Sequence, residues 1–141
     1  MDILDKVRQW VTGFPLWEEG NLLYIDDMDA VPGSMGFFPG GLEVVSATAD
    51  VLGGVKMTCR YHFALYRVGN ANGDGADARW LAAFQAWVLE QTALGLAPVF
   101  GDEPAMERIV AEKGALKDHH QPGTGIYMVK LTATFVKNYE K

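Results

Sequence analysis

Apolar residues recur along this chain with two different spacings, and each spacing predicts a different element. Ile3, Leu4, Val7, Trp10 and Val11 fall at helical intervals. They predict an N-terminal helix with Asp2 as its cap, Asp5 in its first turn, and Gly13 and Pro15 as its stop. From Val55 to Leu65 the apolar set Val55, Met57, Cys59, Tyr61, Phe63, Leu65 alternates with Lys56, Thr58, Arg60, His62, Ala64. That period of two predicts a long strand with one face on a core and one face wet. Helical spacing returns in Trp80, Leu81, Phe84, Trp87, Val88 and Gln91. A helix from about Ala76 to Leu94 follows, stopped by Gly95. Tyr127, Val129, Leu131, Ala133 and Phe135 then alternate with Met128, Lys130, Thr132 and Thr134, predicting a closing strand.

The intervening segments are less regular. Leu22-Leu23-Tyr24-Ile25 predicts a short strand that ends at Asp26-Asp27, and Leu42–Leu52 predicts a strand joined to Val55–Leu65 through a Gly53-Gly54 hairpin. Asp26 and Asp27, adjacent on a strand, would point to opposite faces, so they read as turn carboxylates rather than a paired site. Residues 32–41 mix helix and strand breakers with Met35, Phe37 and Phe38. Two outcomes stay open there: the aromatics fold back onto the core, or they project as an apolar arm. Asn70–Gly75 imitates a calcium loop, but its twelfth position falls on Leu81 where a Glu ligand is needed, so it reads as a loop whose Asp74 or a neighbour caps the next helix. Met106–Leu116 predicts a strand, with His119-His120 in a polar loop closed by Pro122-Gly123. The order helix, strands, helix, strands predicts one α+β domain over 1–141, a mainly antiparallel sheet with helices on one face.

Charge narrows the partners. The 141 residues carry a formal net charge of −6, with 12 basic side chains scattered among 18 acidic ones. Nucleic-acid readers neutralise phosphates with clustered Lys and Arg, so sequence-specific nucleic-acid binding is not expected, and neither is an anionic membrane surface. Apolar runs are too short for a membrane span. Met1–Asp5 lacks the basic-then-apolar start of an export signal, and Cys59 is the single cysteine; both predict a cytosolic chain with a buried, inert thiol.

Searches for catalytic chemistry return nothing. No phosphate loop, dinucleotide fingerprint, nucleophile elbow, H-E-x-x-H or cysteine pair occurs. His62 reads as a surface histidine, and His119-His120 lack a Cys or carboxylate at ligand spacing. The expectation is a non-enzyme with no cofactor and no metal.

A resemblance gives this scaffold a candidate role. Phe84-Gln85-Ala86-Trp87-Val88-Leu89-Glu90-Gln91 followed by Gly95-Leu96-Ala97-Pro98 is similar to an F-x-x-W-[IL]-x-x-Q…G-x-[LA]-P pattern. Leu22-Leu23-Tyr24-Ile25, Pro32-Gly33-Ser34, the strand with Phe63 and Arg67, and Ile126–Leu131 also fit. In these features the chain resembles the small minor capsid or tail-terminator-like proteins of prophages from Gram-positive bacteria. It departs at Gly53-Gly54, where an Asp-Gly-type turn belongs. The resemblance implies a virion component that caps the tail tube as a ring, commonly a hexamer, touching tail tube protein and head connector proteins. It would reside in the host cytoplasm during assembly and then in the virion. A head-closure protein of the same joint, or a bacterial module binding a peptide or small ligand, is the alternative. For ring assembly, Met35, Phe37 and Phe38 are the expected interface anchors, because buried aromatics usually dominate interface energy.

Overall fold

In a computed structural model of the chain, residues 2–17, 23–25, 34–69, 75–112, 115–121 and 124–140 are described, with side chains for all but 23–25, 115–121 and 124. The α+β expectation holds. Helix α1 is Ile3–Val11, with the Asp2 carboxylate accepting from the Asp5 amide at 2.8 Å as the predicted cap. Strands β1 (Leu23–Ile25), β2 (Met35–Ala49) and β3 (Val55–Gly69) precede helix α2 (Ala76–Ala93). A 3-10 turn, Pro104–Met106, leads into β4 (Arg108–Ala111), β5 (Ala115–Gln121) and β6 (Thr124–Tyr139).

The sheet order is β1-β2-β3-β6-β4, and β5 pairs with β6 beyond the end of β4. Every pairing is antiparallel except β1 with β2. Strands β3 and β6 run together without a bulge from Val55–Tyr139 to Gly69–Gly125. Their alternating apolar residues, Cys59, Tyr61, Phe63, Leu65 and Val129, Leu131, Ala133, Phe135, are all buried on the helix side.

The helices are fastened there by rings. Phe14, just past α1, meets Trp80 and Phe84 edge-on, each at 5.3 Å between centroids, while Trp10 stacks on Trp87 at 5.0 Å. Both buried indoles find acceptors: Trp10 Nε1 donates to Gln91 Oε1 at 3.1 Å and Trp80 Nε1 to the Leu16 carbonyl at 3.2 Å. The Trp80–Gln91 stripe is therefore core, as its spacing predicts.

Several expectations need correction. Pro32 and Gly33 lie outside the described residues, but 35–41 is not irregular; β2 runs straight through Pro39, Gly40 and Gly41. It tolerates them because, among the described residues, β2 borders only β3 at this point, and a bulge lies between Pro39 and Gly41, with Gly41 at φ +101°. Met35 and Phe37 are fully buried in the core, and Phe38 packs on Tyr66 at 4.8 Å on the other face. Residues 35–38 thus form no projecting arm.

The hairpin after β2 is wider than a Gly-Gly turn. The Asp50 carboxylate accepts from the Leu52 and Gly54 amides at 2.8 and 2.9 Å, and Gly53 takes the left-handed φ of +87°. Helix α2 has Gly75, the neighbour of Asp74, as its N-cap, with no side-chain hydrogen bond to the cap; Asp74, with the rest of 70–74, lies outside the described residues, as do Asp26 and Asp27. The strand expected over 106–116 is split into the 3-10 turn, β4 and the start of β5, and His119-His120 lie in β5 rather than in a loop.

An ion pair is buried under the helix layer. Arg67, on the helix side of β3, lies 3.4 Å from Asp77 of α2 and stacks its guanidinium 4.4 Å from the Trp80 ring centre. Breaking a buried ion pair by removing one partner is destabilising, by about 3–5 kcal/mol. Asp77→Ala is expected to lower unfolding free energy by about that amount in urea titration. A loss under about 1 kcal/mol would show that water reaches the pair.

Candidate assembly surfaces

The helix layer covers β3 and β6 but only the beginning of β2. From Gly40 to Leu52 every residue is exposed. Register with β3 places Leu42, Val44, Ala47 and Ala49 on the helix side, opposite Tyr61, Cys59, Met57 and Val55. Their β3 partners are buried or half-buried, whereas Leu42 and Val44 are 60% and 54% exposed. Glu43, Ser46 and Thr48 stand on the opposite, open face, and Val45 is the extra residue of a bulge. Val51 and Leu52, at the hairpin tip, are almost wholly exposed, and Tyr139, whose strand ends beside Val55, is half-exposed.

The edge of β2 is bare too. Among the described residues nothing pairs with it beyond Phe37. The other edge is treated differently. Thr92 Oγ1, on α2, donates to the Ile109 carbonyl at 2.7 Å and accepts from the Ile109 amide at 3.2 Å, so it occupies the outward backbone groups of β4. Past β4, the Asp102 amide donates to the Val136 carbonyl at 2.7 Å and the Asp102 carboxylate accepts from the Asn138 amide at 2.8 Å. Proteins usually blunt exposed strand edges with lysine, proline or a covering element. Over 42–49, β2 has only Glu43 and its bulge.

A second apolar surface lies on the helix side. Lys6, Gln9, Trp10, Leu96, Pro98 and Val99 line a groove of about 300 Å³. Leu96 is 61% exposed. The Lys6 ammonium is turned inward, donating to the Val99 carbonyl at 2.6 Å, which leaves the groove wall mostly apolar.

The open face gathers polar groups, with His62, Glu112, Lys130 and Thr132 lining a cavity of about 310 Å³. His62 Nδ1 is 3.3 Å from Thr132 Oγ1, and His62 Nε2 is 3.7 Å from the Glu43 carboxylate. Both His62 and Glu43 side chains are about half-exposed, so water screens the pair. Among the described residues the hydroxyl set against this histidine is that of Thr132. Cys59 is buried on the other face. Among the described residues no group of three or more His, Cys, Asp or Glu side chains could hold a metal, and no described helix is long and apolar enough to cross a membrane.

Of the expected anchors, the structure brings Met35 and Phe37 together in the core and puts Phe38 across the sheet from them. Along β2 and its hairpin the exposed large apolar residues are instead Leu42, Val44, Val45, Val51 and Leu52. Two signals pointed to them: Val44-Val45 breaks the alternation, and 42–49 has few charges on either face. Comparison with protein-family models gives no match, and comparison with curated proteins gives none either.

Thr92→Val keeps the shape but removes the hydroxyl that serves both Ile109 backbone groups. It is expected to cost about 1–3 kcal/mol and to increase aggregation on storage by baring a second edge, measured by urea titration and light scattering. Unchanged stability and solubility would mean that Thr92 does not guard β4.

Proposed function

We propose that this chain is a structural, non-catalytic component of a phage virion, a tail-terminator or minor capsid protein that caps the tail tube at the head–tail joint by forming a ring. Two observations support the reading. One is the resemblance carried by Phe84–Gln91 and Gly95–Pro98. The other, which carries the assembly step, is the pair of unlike apolar surfaces: the Val51-Leu52 tip and the Trp10–Leu96–Val99 groove. Contact between two different patches of identical subunits is head-to-tail, and such contacts close into rings when the rotation allows. A tip seated in the next subunit's groove would take two leucine-sized side chains out of water, about 1.5–3 kcal/mol each when fully buried. Tail tube protein and head connector proteins would then meet the two rims of the ring.

The same groove suits a short apolar peptide, which supports a second reading as a binding module. The two readings part on the tip. Val51→Asp combined with Leu52→Asp is expected to leave the circular dichroism spectrum and urea midpoint of the monomer unchanged. It should abolish rings seen by electron microscopy, both for the chain alone at high concentration and on tail-tube templates. Rings that persist in the double variant would overturn the tip-in-groove contact. Absence of rings for the unaltered chain under both conditions would leave the binding module as the better reading.

A further inference from the structure

The bare edge of β2 carries a pattern that fits itself. Reading from Leu42, the strand has four larger residues, Leu42, Glu43, Val44 and Val45, then four small ones, Ser46, Ala47, Thr48 and Ala49. Two copies of this edge laid antiparallel about a two-fold axis between Val45 and Ser46 would set Leu42 against Ala49, Glu43 against Thr48 and Val44 against Ala47. Each larger side chain meets a small one, which lets the strands approach at the normal spacing of about 4.8 Å without crowding. The lone charge of β2 faces a hydroxyl and not its own copy, so the pairing avoids like-charge opposition.

The bulge makes this register possible. In a regular strand, faces alternate residue by residue, and a dyad between two residues would bring helix-side positions against open-side ones. Because Val45 is inserted, Leu42 and Val44 share the helix side with Ala47 and Ala49, and Glu43 shares the open side with Thr48. All three pairs therefore match faces, and the two sheets would continue as one with the helices on the same side.

We propose that a second copy of this chain covers the β2 edge, forming a two-fold dimer by antiparallel β2–β2 pairing centred on Val45 and Ser46. The occupant is a second copy because the residue sizes, the charge and the bulge are complementary under that one symmetry. On the opposite edge the outward backbone groups of Ile109 are already taken by Thr92, which makes β4 a poorer partner for a head-to-tail alternative. A two-fold contact closes on itself. It uses neither the hairpin tip nor the helix-side groove, so it stands or falls independently of the ring.

Cys59 is buried, which leaves an introduced surface cysteine as the reactive thiol. Ser46→Cys is expected to form a disulfide-linked dimer on mild oxidation, because residue 46 lies one position from its symmetry mate's partner. Thr48→Cys would sit about 17 Å from its mate in this register, at about 3.4 Å per residue, and is expected to remain unlinked. Ala47→Lys, at a position exposed in the monomer, is expected to weaken dimerisation at least tenfold in sedimentation velocity while leaving the urea midpoint unchanged. Monomer at every concentration up to the solubility limit would overturn the proposal. So would equal linking of Ser46→Cys and Thr48→Cys, or a dimer indifferent to Ala47→Lys.

Discussion

Coverage is the constraint on which the rest of this molecule depends: the helix layer is narrower than the sheet it packs against. Strands β3 and β6 form one uninterrupted antiparallel ladder, and a ladder with an apolar face must be roofed. The roof consists of α1, α2 and the rings between them, with Phe14 wedged among Trp80, Phe84 and Trp87. Those side chains reach β3, β6 and the first residues of β2, where Met35 and Phe37 join the same core. Past Phe38 the roof ends while β2 continues to Ala49. The exposed strand, its edge and the hairpin tip lie in that overhang, while the Trp10–Leu96–Val99 groove belongs to the helix side.

How far this was legible in the sequence follows from where side chains report their surroundings. Helices α1 and α2 and strands β3 and β6 each have one consistently apolar face, so period alone located them and their buried residues. Residues 35–41 were harder because Gly and Pro describe what the backbone can do, not where it is. A strand with only one neighbour, relieved by a bulge at Pro39–Gly41, accommodates residues that a central strand would refuse. The 106–121 region failed for a related reason: β4 and β5 divide one edge of β6 between them, and a short edge strand needs little periodicity. His119 and His120 read as loop residues because polarity was the only cue available.

The overhang itself was half-visible. The strand over Leu42–Leu52 and its hairpin were predicted, but nothing in one sequence states how wide the roof is. Leu42 and Val44 look like core residues by composition, and only the three-dimensional structure shows that they are 60% and 54% exposed, with no described helix over them. Met35 and Phe37, expected as interface anchors, are core residues, and the exposed apolar residues start a few positions further along the same strand: apolar residues of one continuous β2 divide between core and surface at the point where coverage stops. The open face holds the screened Glu43–His62 pair beside a cavity lined by His62, Glu112, Lys130 and Thr132.

Amide hydrogen exchange of the dilute chain, followed residue by residue, tests the central claim most directly, because strand edges without partners exchange through water while laddered amides need the structure to open. The account predicts slow exchange along β3 and β6 and at Ile109. Residues 42–49 should show fast exchange at alternate amides in dilute solution, and those same amides should become protected when the chain is concentrated into assemblies. Uniformly slow exchange across 42–49 in the dilute monomer would contradict it, since some element of the chain itself would then be covering the edge.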